Sequence, residues 1–377
     1  MASEAPSSSS LSMPGVLALR VKMVSSGLLR LVTVPARLRR WDGAPTVFQD
    51  VLFATIRAMF KNMTIAQSRS MFKGTTETHL DLCRETKQTP KSITLDEVVA
   101  HWIGDEDADI VVFYLHGGGF SQPCTLGHMQ YLHRLVTDMN CLGGASIAVL
   151  LPAYTLVPDA IFPTQLKQVA TMLLHLLQQR NRDPSRIMIA GDSAGGNLVF
   201  TLLSHILHPR ADVPRITLTS PFRAVFVFSP WVSFSTNFPS VAENAGKDIL
   251  EHSMLRRWAA MYVGTADGEG PVSRTLGGDA YSEPLLADAS WWQNMHTVAQ
   301  QIYVWAGANE LFVDSVRAFF DKLRLGWVNG GGAPQRVVLS VAAEEPHIGP
   351  IMDVMYGHKE KSESQYALEA WLREKLV

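Results

Sequence analysis

Cysteine is scarce in this chain, with three residues, Cys83, Cys124 and Cys141, in 377. Their wide spacing excludes a disulfide framework and a cysteine-based metal cluster, and fits a reducing compartment. Charge is also sparse: 33 basic against 35 acidic residues give a formal net charge of -2. That balance carries no polyanion-binding signature, and no zinc-finger or aromatic-basic pattern points to nucleic acid. Long apolar runs are missing too. The stretch after the serine-rich start is interrupted by Arg20 and Lys22, with Arg30 soon after. No window approaches the roughly 18 uninterrupted apolar residues of a membrane span, and the start does not read as a signal peptide. Stable membrane insertion is therefore not expected, and the cytoplasm is the default location. What the chain does have is 47% hydrophobic residues, enough to bury the core of one large domain with a modest appendage.

Apolar spacing predicts helices over 16–33 and 47–63, separated by Pro35 and the Gly43-Ala44-Pro45 turn. Residues 64–92 are polar and read as irregular. Ile93-Thr94-Leu95 reads as a short edge strand, with a charged turn at 104–109. Ile110 to Leu115 is β-branched and aromatic without polar alternation, which suits a strand covered on both faces. From there helices (127–139, 163–179, 195–207, 312–325, 362–376) alternate with strands (145–151, 186–190, 223–228, 301–305, 335–341). Repeated crossovers of this length predict a mostly parallel sheet with helices on both sides. A helical pattern at 248–262 interrupts the alternation and, with the N-terminal helices, is the candidate cap. The expected division is 1–92 for tail and first cap segment, 93–240 and 279–377 for the core, and 241–278 for the second cap segment.

Two motifs carry chemistry. Gly191-Asp192-Ser193-Ala194-Gly195 follows a strand and opens a helix, and His116-Gly117-Gly118-Gly119 ends a buried strand about 75 residues earlier. A strand-to-helix turn projects the Ser193 hydroxyl above the sheet, and small neighbours permit the turn. A serine hydroxyl is a weak nucleophile until a base takes its proton. Glycines let backbone amides approach a substrate oxygen, so Gly117, Gly118 and Ala194 are the candidate oxyanion donors, with His116 anchoring their loop. In this order of motifs the acid and then the histidine follow the serine. Glu310, in a loop just past a strand, is favoured over Asp314, which falls within the following helix and is left to brace the loop. His347, after the last strand, is favoured as the base over His358, which sits beside lysines, and over His296, which precedes the acid. Glu344 and Glu345 are candidates for raising its basicity, or form a solvated turn.

The pieces His116-Gly-Gly-Gly-Phe120, Tyr154-Thr-Leu-Val-Pro158-Asp159 and Gly191-Asp-Ser-Ala-Gly-Gly196 resemble the hormone-sensitive-lipase-like family of α/β-hydrolases. Ser229-Pro230-Trp231, Ser282-Glu283-Pro284-Leu285 and Trp305-Ala-Gly-Ala-Asn-Glu310 fit it as well. The resemblance implies the α/β-hydrolase fold, a mostly parallel central sheet flanked by helices with a helical cap. It carries the nucleophile to Ser193, the acid to Glu310, the base to His347, and the oxyanion amides to Gly117, Gly118 and Ala194. Where the family more often has aspartate this chain has Glu310, and an aromatic common after the histidine is replaced by Ile348. Receptor-like members have lost a triad residue; this chain keeps all three.

The implied reaction is two-step acyl transfer with neither metal nor organic cofactor. Phe120, Trp231, Trp258, Tyr262 and Ile348 are the expected pocket residues, with Leu28, Leu31, Phe53, Ile56 and Phe60 contributed by the first cap segment. Such a lining suits a small or medium apolar ester. The texture resembles fungal members that deacetylate secondary metabolites. Transfer to an alcohol, or a non-catalytic binding role on the same scaffold, stay open, as does a homodimer. The basic, apolar segment 16–40 suits a lid helix first and peripheral membrane contact second.

Overall fold

The computed structural model describes residues 13–37, 42–141, 143–266 and 277–376. Its strands are β1 (Ser92–Leu95), β2 (Val98–Ile103), β3 (Ile110–Leu115), β4 (Ile147–Ala153), β5 (Ile187–Asp192), β6 (Ala224–Phe228), β7 (Ile302–Gly307) and β8 (Val337–Ala342). They form one sheet in the order β1-β2-β4-β3-β5-β6-β7-β8. The β1–β2 and β2–β4 pairs are antiparallel, and all the others are parallel. β3, β5, β6 and β7 are buried along their whole length, as their unbroken apolar runs require when helices cover both faces.

Five helices precede the sheet: α1 (Met13–Val32), α2 (Val34–Arg37), α3 (Val47–Asn62), α4 (Ile65–Met71) and α5 (Thr75–Thr86). The crossovers and later segments supply α6 (Leu126–Cys141), α7 (Thr164–Leu174), α8 (Ser193–Leu207), α9 (Pro239–Glu243), α10 (His252–Tyr262), α11 (Val313–Asn329), α12 (Gly349–Met355) and α13 (Glu363–Arg373). The chain leaves β3 for β4 on one side and then crosses back to β5 on the other. Open α/β sheets bind ligands at such a reversal, beyond the carboxyl ends of the strands. Leu115 of β3 pairs with Gly191 of β5 there, so the two glycine-containing motifs emerge side by side.

The segment 64–92, expected to be irregular, holds α4 and α5. Gln67 and Glu77 accept hydrogen bonds from the backbone N–H groups of Thr64 and Gly74, and Thr64 caps Gln67 in return. The buried face of α5 is built from Thr75, Thr78, His79, Leu82 and Cys83, a stripe too polar to register as hydrophobic periodicity. The short strand at 92–95 turns through Asp96, with φ 51°, into β2, which the sequence reading missed. α12 was missed as well. The N-terminal tail and the end of the second cap segment, 267–276, lie outside the described residues.

Candidate active site

Ser193 is the first residue of α8 and adopts φ 52°. A non-glycine residue pays about 1–2 kcal/mol for that conformation, and the tight turn out of β5 imposes it. Gly195 permits the turn, because a β-carbon there would overlap the Leu115 carbonyl oxygen. Ser193 Oγ lies 2.8 Å from His347 Nε2, and His347 Nδ1 lies 3.2 Å from Glu310 Oε2. The three residues expected to act together are thus adjacent and buried. Asp314 instead accepts the Ser240 N–H at 2.9 Å. His358 pairs with Asp353 near the surface, and His296 packs edge-on against Trp327. Glu345 accepts the Ser364 hydroxyl, so neither it nor the exposed Glu344 supports the imidazole.

Burial dominates the electrostatics. It pushes His347 down to about 4, against the pull of Asp248 and Asp192, and Glu310 up to about 8, against the Ser229 hydroxyl and the Gly307 N–H. His347 is therefore a neutral imidazole at ordinary pH, ready to accept a proton.

Gly117, expected among the oxyanion donors, gives its N–H to Asp192 Oδ1 at 2.9 Å, and that assignment is corrected. Gly118 and Gly119, with φ 107° and 60°, are the pair lining the cavity beside Ser193. Ala194 lies in the first turn of α8, where amides have no acceptor within the helix. His116 does anchor the loop: Nδ1 contacts the Gly117 oxygen at 2.8 Å, and the ring stacks on Tyr154 at 4.5 Å.

The cavity above Ser193 has a volume of about 170 Å³. Ile56, Met59 and Phe60 of α3, Trp258 of α10, and Ile348 and Met352 around His347 form much of its wall. α3 and α10, far apart in the sequence, therefore both contribute. Of the expected pocket residues, Trp258 and Ile348 line this cavity, and Phe120, Trp231 and Tyr262 do not. Phe120 stacks on Tyr262 at 3.7 Å, and Trp231 lies parallel to Phe312, which meets His347 edge-on at 5.1 Å. These rings are fully buried and pack on one another and on Phe312 instead of facing the cavity. Leu28 and Leu31, expected in the pocket, are exposed on α1.

A family model of the alpha/beta hydrolase fold matches residues 112–347. This chain belongs to that family. An acetyl-hydrolase of Streptomyces hygroscopicus is 28% identical over 196 residues, 52% of this chain and 60% of the relative. Bovine (Bos taurus) arylacetamide deacetylase is 30% identical over 159 residues, 41% of this chain and 38% of the relative. The chain thus covers less than two thirds of either relative's length. A solved esterase of the bacterial hormone-sensitive lipase family superposes with a TM-score of 0.59 at 21% identity, covering 98% of this chain and 100% of that one.

Within this α/β-hydrolase, several positioning residues escaped the sequence reading. Asp192 is fully buried and also accepts from the Tyr114 hydroxyl at 3.0 Å, while His128 Nε2 sits 3.2 Å away. Burial pushes its carboxyl up, but His128 and the hydroxyl outweigh that and hold it below the usual range. The residue between the glycine and the nucleophile thereby couples the two motifs. Ser229 accepts the Ile348 N–H at 3.0 Å as well as facing Glu310. The segment 240–248 clamps the acid loop. Asn244 Nδ2 donates to the carbonyls of Ala308 (3.0 Å) and Glu310 (2.9 Å). Ser240 Oγ donates to the Leu311 carbonyl at 2.8 Å. Asp248, wholly buried, accepts the N–H groups of Leu311 (2.7 Å), Ile249 (2.6 Å) and His347 (3.4 Å). Arg57 of α3 donates to the Asp248 carbonyl, tying α3 to this clamp. Ser229 stands in the Ser229-Pro230-Trp231 motif, whereas nothing in the sequence marks Asn244 or Asp248.

Proposed function

We propose that the protein is a serine carboxylic-ester hydrolase that cleaves small apolar esters through an acyl-enzyme. The observation that carries this reading is the chain of contacts Ser193 Oγ–His347 Nε2 (2.8 Å) and His347 Nδ1–Glu310 Oε2 (3.2 Å) opening onto an apolar cavity. His347 takes the hydroxyl proton as Ser193 attacks the ester carbonyl. The carbonyl oxygen becomes an oxyanion, received by the amides of Gly118, Gly119 and Ala194. One such donor contributes about 3 kcal/mol of transition-state stabilisation. Glu310 Oε2 accepts the Nδ1–H of His347 and orients the ring, the alcohol leaves with the proton from His347, and water then cleaves the acyl-enzyme by the same route.

Cavity size argues for a small group. A void of roughly 150 Å³ holds one benzene, and this one measures about 170 Å³. Acetyl and short acyl chains fit beside Ser193. The similarity to an acetyl-hydrolase agrees with that preference. At the finest level the substrate is an acetylated apolar natural product of the kind fungi make. The test is hydrolysis of p-nitrophenyl acetate through decanoate by the wild type beside Ser193→Ala. Activity with a short-chain optimum that disappears in the variant supports the proposal. Equal activity in both sinks it. Acetylated fungal metabolites left untouched by an active enzyme would remove only the natural-product assignment.

A further inference from the structure

We propose that the outward face of α1 docks on the surface of an anionic lipid bilayer. The helix has two faces. Leu19 is buried, Ser26 Oγ donates to the Ala54 carbonyl at 3.1 Å, and Arg30 Nε donates to Asp50 at 3.0 Å, so the inward face is committed to α3. On the outward face Leu17, Val21, Val24, Leu28, Leu31 and Val32 are each between 48 and 68% exposed. At about 100° of rotation per residue these six fall within an arc of roughly 100°. Arg20 borders the arc on one edge, and Leu29 then Lys22 follow on the other. An apolar stripe edged by cations is the build of a helix lying in the plane of a membrane surface, with its leucines among the acyl chains and its cations at the phosphates. Among the described residues no helix is long and apolar enough to cross a membrane, so α1 would lie on the bilayer.

Charge selects the occupant. From Ala5 to Trp41 the sequence has no acidic residue, whereas it has Arg20, Lys22, Arg30, Arg37, Arg39 and Arg40. Asp50 pairs with Arg30 and Arg37, which leaves the stripe edged by cations alone. A second copy packed stripe to stripe would bring cations to cations with no carboxylate on either helix. A leaflet containing phosphatidylserine supplies the opposite charge.

The test is flotation of the full chain with vesicles of phosphatidylcholine alone and with about 30% phosphatidylserine, at low and high salt. Binding should require phosphatidylserine and weaken with salt. Val24→Asp with Leu28→Asp should cut it at least about tenfold, since both apolar insertions are lost. The thermal midpoint and the hydrolysis of p-nitrophenyl acetate should stay at wild-type values. Arg20→Glu, at an exposed site outside the packed core, should weaken binding about fivefold or more. Absence of wild-type flotation overturns the proposal, as does undiminished flotation of the double variant. A dimer dispersed by the double variant, with no vesicle binding, overturns it in favour of self-association. The flotation and thermal outcomes do not depend on the ester-hydrolase reading.

Discussion

Replacing Asp248 with asparagine separates packing from electrostatics at this site. The carboxylate is fully buried and accepts three backbone N–H groups, one following Glu310 and one belonging to His347. An asparagine of the same shape has one acceptor oxygen, so its amide group must face at least one of those donors. A lost bond to a charged acceptor is worth about 1.5–3 kcal/mol, and the stranded donor adds about 1–3. Relief from burying a charge offsets part of this, leaving an expected destabilisation of about 2–4 kcal/mol. The catalytic effect is distinct. Asp248 pulls the His347 pKa upward against burial, so its charge favours the imidazolium that forms as Ser193 attacks. Removing that charge should lower kcat/KM about 10- to 100-fold, or about 1.4–2.8 kcal/mol. The base works only when neutral, so kcat/KM rises as pH rises through the His347 pKa. Loss of a neighbouring anion lowers that pKa, and the acid limb must move to lower pH. The assay is kcat/KM for p-nitrophenyl acetate from about pH 2.5 to about pH 9, with thermal unfolding alongside. A destabilised variant with an unmoved acid limb would reduce Asp248 to packing. Unchanged kcat/KM and midpoint would refute the reasoning altogether.

For the wild type, burial carries His347 from the ordinary 6.5 down to about 4. The acid limb of kcat/KM should accordingly fall below the ordinary histidine value; a limb at or above it, in a pH–rate profile, contradicts the burial argument. Gly119→Ala puts a β-carbon into the Trp258 ring at φ 60°. It should lower kcat/KM by at least about 100-fold through displaced donors, while Ser193 still labels slowly with a phosphonate; full activity would take Gly119 out of the oxyanion site. Trp258→Ala removes a largely buried ring from the cavity wall. It should cost about 3–5 kcal/mol in denaturant unfolding and move the acyl-chain optimum longer; an unshifted optimum would place the acyl group elsewhere. Asp192→Asn leaves the Gly117 N–H with a weaker acceptor, and kcat should fall about tenfold with little change in KM; a KM effect alone would show that the loop binds substrate rather than the transition state.

Much of this molecule is local in origin. The all-apolar runs of β3, β5, β6 and β7 state a sheet covered on both faces, because an unbroken hydrophobic strand has no other stable environment. The pentapeptide at Ser193 and the glycines after His116 each carry their own backbone geometry, so they are legible wherever they occur. Glu310 and His347 were readable by their places after β7 and β8, a rule of order rather than of distance. Tertiary structure decided the rest. Whether Gly117 or Gly119 faces the cavity depends on Asp192, which reaches the Gly117 amide only because β3 and β5 are neighbours. Whether Trp231 and Tyr262 line the cavity or sit away from it depends on their packing partners, Phe312 and Phe120. The clamp of Asn244 and Asp248 joins residues more than 60 positions apart, and its bonds are to backbone groups, which every residue has alike. No residue type announces such a partner, so only the folded chain assigns it. The faces of α1 make the same point: the sequence gives apolar helical spacing, and only the packing on α3 says which residues are left exposed.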